Sequence, residues 1–392
     1  MIPELSLLIT ICARERGLIP KRPFRYRPGQ GINEERLLKL ADMHGVIGLV
    51  YKGLISWYPN LLTAHSLDIL RMKTLYKRIL VERLLSEWPG LIQAVERAGI
   101  PVLTFKGPAL ALQLFGLPDS REYCDLDLLV LSNRHGLNSI IRNFEERGYR
   151  LYIDNLPYSQ TQRRLLLRKT THLILVNDQK HTVVEIHSKG FGPLQGLYSV
   201  PIKEIFQRCR IVEWNNERFL SLGKEDNTIC ILAHGAKHAW AYLKWILDAA
   251  ILLRDNRETD WNTLWHKMEI LGLERALAAS IAFIRTLFDL PLPNEVCRYI
   301  EKNGNVIKRI VFSASRFFCG KISYPVQTNT EKLSLLLYQL MLKKSISYKL
   351  YTLIKRLIPA EKEFELLSIP GPFSFLYWII RPLRFALGGK RF

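Results

Sequence analysis

Tyr123-Cys124-Asp125-Leu126-Asp127-Leu128-Leu129-Val130 sets two carboxylates two residues apart at the head of an apolar run that ends at Leu131. Read as a β-strand, the run alternates faces with period two. Asp125 and Asp127 then point to one side, and Leu126 and Leu128 point into a core. Two acids side by side on a strand end repel each other unless a cation lies between them. A divalent ion such as Mg²⁺ is the simplest partner, because it takes one or two carboxylates together with substrate phosphates. The plainer alternative is a strand edge carrying two solvated acids.

The flanking segments bear on that choice. Upstream, Ile100-Pro-Val-Leu-Thr-Phe105 reads as a short strand, followed by Lys106-Gly107 and a helix carrying Leu110 and Leu114. Gly107 permits close backbone approach, and Pro108 suits a first helical turn. A strand, a glycine turn and a helix N-terminus favour phosphate, and Lys106 adds positive charge. Downstream, Thr182-Val-Val-Glu-Ile-His-Ser188 places Glu185 in an apolar strand, on the face of Val183 and opposite Val184 and Ile186. A half-buried carboxylate is costly there unless it is paired or bound to a metal.

The order of strand, Lys-Gly turn, helix, Asp-x-Asp strand, helix and acid-bearing strand resembles the polymerase-β-like nucleotidyltransferases. More closely, the chain resembles the bacterial uncharacterised nucleotidyltransferase family. The residues that carry the likeness are Phe105-Lys106-Gly107, Arg121, Asp125-Leu-Asp-Leu-Leu-Val130 and Val184-Glu-Ile-His187. Lys-Gly replaces the Gly-Ser or Gly-Gly of the wider superfamily and agrees with the closer family. The resemblance implies an α+β fold, with a small mixed β-sheet core flanked by N-terminal and C-terminal helical regions. It also implies metal-dependent transfer of NMP from a nucleoside triphosphate, with Mg²⁺ or Mn²⁺ held by Asp125, Asp127 and Glu185. Lys106, Gly107 and Arg121 would contact the nucleotide, and His187 accompanies Glu185 in the family pattern.

Composition sets the wider frame. The 392 residues are 48% hydrophobic and 23% charged, enough for two or three domains with a sizeable core. Lys and Arg number 56 against 36 Asp and Glu, a formal charge of +20. Such an excess favours polyanionic partners: nucleotides, nucleic acid or an acidic membrane surface. Cys12, Cys124, Cys209, Cys230, Cys297 and Cys319 form no Cys-x-x-Cys pair, which argues against a zinc site or disulfide framework and for a reducing cytoplasm. Glu4 precedes the short apolar run Leu5–Ile11 with no basic stretch, unlike a secretory signal. No run approaches the roughly 20 residues that span a bilayer.

Residues 1–95 read as a helical lobe. A basic loop over 14–31 leads to a helix capped by Asn33, and a longer helical region from Asn60 to Trp88 is broken at Pro89-Gly90 before a last helix over Leu91–Ala98. The catalytic core occupies 96–200. Within it, Asn133 or Ser132 caps a helix, strands are expected at Tyr149–Ile153 and Thr171–Val176, and Arg163, Arg164, Arg168 and Lys169 form a basic cluster.

Beyond Pro201 the pattern returns to helix, giving a domain over 201–330. His234 and His238 share a helical face, acceptable for a metal, but Gly-Ala-Lys between them lacks the glutamate of a zinc hydrolase. Lys244 and Asp248 are again four apart. The family carries a similar His-x-x-x-His-x-Trp and Leu-Lys-Trp-x-x-Asp stretch, which implies that Lys244 and Asp248 help hold the nucleotide. The tail, 331–392, ends in Phe373-Ser-Phe-Leu-Tyr-Trp-Ile-Ile-Arg-Pro-Leu-Arg-Phe385, aromatic, apolar and basic. Packing on the body is the expected arrangement, with a peripheral membrane element the other.

The acceptor, whether small molecule, peptide, sugar or RNA, leaves no trace in these motifs. Three rivals stand beside nucleotidyl transfer: an Asp-x-Asp glycosyltransferase using a sugar nucleotide, a catalytically inert scaffold, and nucleic-acid binding on the basic surface.

Overall fold

The computed structural model describes residues 2–25, 31–152, 172–188, 200–254, 260–354, 356–357, 369 and 371–386. The Arg163–Lys169 cluster, Ile153, Thr171 and the 26–30 part of the basic loop lie outside them. Contacts group the chain into two units. A helical unit comprises Met1–Glu82, Lys106–Cys124 and Leu222–Lys344, and a sheet-bearing unit comprises Arg83–Phe105, Asp125–Ser221 and Ser345–Phe392. The architecture is α+β, with one mixed sheet and many helices.

The sheet contains β1 (Val102–Phe105), β2 (Leu126–Val130), β3 (Arg150–Leu151), β4 (His172–Asn177), β5 (Thr182–His187), β6 (Arg210–Trp214) and β7 (Glu217–Ser221). Their order is β3-β4-β5-β2-β1-β7-β6. β2 lies at the centre, antiparallel to β1 and parallel to β5, and its five residues are all buried. That fits a strand covered on both faces, and it explains why the run reads as almost continuous leucine. In the following helix, α6 (Arg134–Glu145), the Asn133 side chain accepts the Gly136 N–H at 3.0 Å as N-cap.

Two readings of the sequence are corrected. Residues 210–221 form a hairpin rather than helix. Asn215 and Asn216 both adopt positive φ, 50° and 63°, as a two-residue turn between right-twisted strands requires. Val212 and Phe219 face each other across it and are buried. Second, Pro89-Gly90 does not end a helix. α4 runs unbroken from Ala64 to Glu96 with Pro89 inside it.

The helical unit includes α1 (Pro3–Glu15), α2 (Glu34–Met43), α3 (Ile47–Trp57), the first part of α4, and α5 (Gly107–Phe115). The apolar run Leu5–Ile11 forms the buried side of α1. α2 starts as expected, with Asn33 Oδ1 accepting the Arg36 N–H at 2.8 Å. The later helices include α8 (Lys224–Lys237), α9 (Leu243–Arg254) and α11 (Glu274–Leu287); α7 (Ile202–Gln207) belongs to the other unit, and α10 (Trp261–Ile270), α12 (Asn294–Lys302), α13 (Gly304–Phe318) and α14 (Asn329–Met341) complete this one. Among the described residues no helix is long and apolar enough to cross a membrane.

Candidate active site

Strand register assembles the acidic group. Asp127 on β2 lies beside Glu185 on β5, and Leu129 lies beside His187. The period-two alternation therefore puts Asp127, Glu185 and His187 on one face, while Leu126, Leu128, Val184 and Ile186 fill the other as buried core. Asp127 is 2% exposed and His187 fully buried, whereas the Glu185 side chain keeps 20% exposure. His187 Nε2 stands 3.0 Å from Asp127 Oδ1 and 3.5 Å from Glu185 Oε2. Phe105, opposite Asp127 on β1, sets its ring edge to the imidazole at 5.1 Å between centroids.

One ligand atom from each of Asp127, Glu185 and His187 lies within 4.8 Å of the other two. Two carboxylates and an imidazole form a donor set that suits a divalent cation. Carboxylate oxygen favours Mg²⁺ or Mn²⁺, and the imidazole widens the choice towards transition metals. Asp125 sits half-buried in the residue before β2 and is not part of this group of three.

Lys106 and Gly107 belong to the helical unit. Lys106 adopts φ 53°, ψ −145°, a conformation that costs a side-chain-bearing residue about 1–3 kcal/mol, and Gly107 follows at φ 37°. The pair opens α5, whose first-turn N–H groups point out of the helix.

Arg121, Lys244 and Asp248 come together in the same unit, where they line a cavity of about 400 Å³. Arg121 Nη2 donates to Asp248 Oδ2 at 2.8 Å, with the two side chains only 10% and 4% exposed. Among the described residues, Arg121 Nε is buried there without a hydrogen-bond partner. Arg16 enters beside them, donating to the Ser120 carbonyl and stacking over Phe115 at 3.7 Å. Burial lowers the proton affinity of Arg16, and the Asp248 carboxylate opposes that. Glu122 Oε1 accepts the Gly48 N–H at 3.1 Å; burial pushes its carboxyl up, against that hydrogen bond and Lys244. The lining holds Arg16, Lys52, Lys77, Arg78, Arg121 and Lys244 against Glu15, Asp119, Glu122 and Asp248, a net positive wall that suits an anion.

His234 and His238 form no metal group with other ligating residues among those described. They pack with Trp245, their ring centroids 4.8 and 5.5 Å from its own, and His238 Nδ1 bonds the Tyr324 hydroxyl. Burial holds both imidazoles well below the ordinary range, and nearby Lys106 and Lys237 add to the effect. His44 is likewise pushed down to about 4 by burial, and its Nδ1 accepts the Leu243 N–H. All three are neutral when folded, whereas the unfolded chain takes up their protons near pH 6.5. Their contribution to stability is therefore complete above pH 6.5 and falls on acidification, by up to about 1.4 kcal/mol per pH unit for each. Urea unfolding at pH 7.5, 6.5 and 5.5 should show this decline below 6.5; a flat profile would contradict the burial of neutral imidazoles.

The family model described as uncharacterised nucleotidyltransferase matches residues 30–289. None of the curated proteins or solved structures compared matches the chain. The matched span takes in all seven strands, the Asp127–Glu185–His187 group and the cavity's Arg121–Asp248 pair. It covers more than half of the sequence, and the chain belongs to the uncharacterised nucleotidyltransferase family.

Proposed function

We propose that the chain transfers a nucleoside monophosphate from a nucleoside triphosphate to an acceptor hydroxyl or phosphate, in the manner of polymerase-β-like nucleotidyltransferases. The observation that carries this reading is Asp127 seated beside Glu185 on adjacent parallel strands, with His187 Nε2 against both. The donor set fits Mg²⁺ or Mn²⁺, with Asp127, Glu185 and His187 as holders and Asp125 adjoining in sequence. A cation bound there would neutralise phosphate charge and stabilise the attacking and leaving oxygens.

The acceptor oxygen bonds to the α-phosphorus, the bond from that phosphorus to the bridging oxygen breaks, and pyrophosphate leaves with the electron pair. Glu185 retains the most exposure of the three, which suits it to take the acceptor proton. Asp127 and His187 are locked by burial, which suits them to positioning. Within the helical unit, Lys106, the Gly107 N–H, Arg121 and Lys244 are the groups suited to bind phosphate, with Asp248 fixing the Arg121 guanidinium.

Thermal unfolding with each of the four ribonucleoside triphosphates, with and without Mg²⁺ or Mn²⁺, tests this reading. A ligand at 100 times its Kd stabilises by about 2.7 kcal/mol. The expected result is a metal-dependent rise in Tm with at least one triphosphate, lost in Asp127→Asn. A rise only with sugar nucleotides would replace nucleotidyl transfer with glycosyl transfer, and no rise with either class would point to an inert scaffold.

A further inference from the structure

The C-terminal part of the sheet-bearing unit presents its apolar side chains outward. In α15 (Ile346–Ile354) and the residues just after it, Ile346, Leu350, Leu353, Ile354 and Leu357 follow the spacing i, i+4, i+7, i+8, i+11. That is the stripe with which a helix ordinarily meets a core. Here Ile346 is 74% exposed and the other four are 43–53% exposed, while Tyr348 is the buried residue of the helix.

The next described segment repeats the arrangement. A 3₁₀ turn (Gly371–Leu376) runs into α16 (Tyr377–Ala386). Tyr377 is buried, and its hydroxyl accepts the Ile369 N–H at 2.9 Å. Arg381 Nε donates to the Arg356 carbonyl at 2.7 Å, tying α16 to the end of the α15 segment. Phe373, Phe375, Trp378, Ile379 and Leu383 all remain 44–58% exposed.

We propose that this segment docks the protein on an anionic lipid surface. Two short helices, each held by one inward tyrosine and apolar outside, match an element that lies in the plane of a bilayer interface. Trp and Phe are well suited to that depth, where an aromatic ring meets both acyl chain and headgroup. Charge selects the lipid: residues 345–392 hold eight Lys and Arg against three Glu. A basic segment of this kind is drawn to anionic headgroups over the Debye length. A soluble apolar partner would satisfy the stripes but not the basic excess. No described helix is long and apolar enough to cross a membrane.

The test is sedimentation of the purified full chain with vesicles of phosphatidylcholine alone or mixed equally with phosphatidylglycerol. The expected result is co-sedimentation with the mixed vesicles only, weakened by high salt. Leu350→Glu with Ile354→Glu, and separately Ile379→Glu, should each lower the bound fraction about tenfold with Tm unchanged. The substitutions lie on different helices, so a folding defect in one leaves the other as the test. No sedimentation with mixed vesicles, or variants that bind as the wild type does, would overturn the proposal. So would a wild-type dimer that the variants convert to monomer without any vesicle binding, since a second copy would then cover these faces.

Discussion

Asp127→Asn is expected to lower kcat for pyrophosphate release by about three orders of magnitude while leaving the fold in place. Asparagine keeps the size of the side chain and a carbonyl oxygen for His187 Nε2, now 3.0 Å from Asp127 Oδ1. It removes one of the two adjacent negative charges. Asp127 is 2% exposed, and a neutral amide is less costly than a carboxylate in that setting. The unliganded variant should therefore unfold no earlier than the wild type. The loss falls on metal affinity and on stabilisation of the charge that develops at phosphorus. The assay is pyrophosphate release from whichever triphosphate raises the wild-type Tm, with the Tm of the unliganded variant as control. Wild-type turnover by Asp127→Asn would remove this residue, and the transfer reading with it.

The second large effect concerns stability. Asp248→Ala is expected to cost about 3–5 kcal/mol, because removing one partner of a buried ion pair strands the other. Asp248 is the carboxylate that Arg121 touches at 2.8 Å, and Arg16 also feels it; without it, the Arg121 guanidinium and the half-buried Arg16 repel each other. Arg121→Met combined with Asp248→Leu should recover most of the loss, since no charge is left to strand. Urea unfolding of Arg121→Met, Asp248→Leu and the double variant gives the coupling energy directly. A loss below about 1 kcal/mol in Asp248→Ala would show the pair to be well solvated, contrary to its burial.

The parts of the site governed by local pattern could be read from the sequence. The leucine run after Asp125 is β2, the Lys106-Gly107 turn opens α5, and Glu185 interrupts the apolar alternation of β5. What could not be read is long-range register. His187 entered only as a companion of Glu185, yet it is the group that touches both carboxylates, because β2 and β5 pair with Asp127 beside Glu185 across 58 residues of chain. The family pattern assigns Arg121 and Asp248 each to the nucleotide, but no spacing rule predicts that two residues 127 apart join as an ion pair. The 210–221 hairpin is hidden in the sequence for a local reason. Its signal is Asn-Asn at the turn, weaker than Asn-Gly, beside strands in which only Val212, Phe219 and Ser221 are buried.

The two units are threaded through each other in sequence, with crossings after residues 82, 105, 124, 221 and 344. No single cut in the gene would release either unit whole. Recombination between relatives could exchange a terminal helix, but not the sheet alone or the helical unit alone. One crossing, after Cys124, falls inside the short block that holds Lys106, Arg121, Asp125 and Asp127, and another, after Phe105, lies at its leading edge. A change made in this short stretch therefore reaches both units at once.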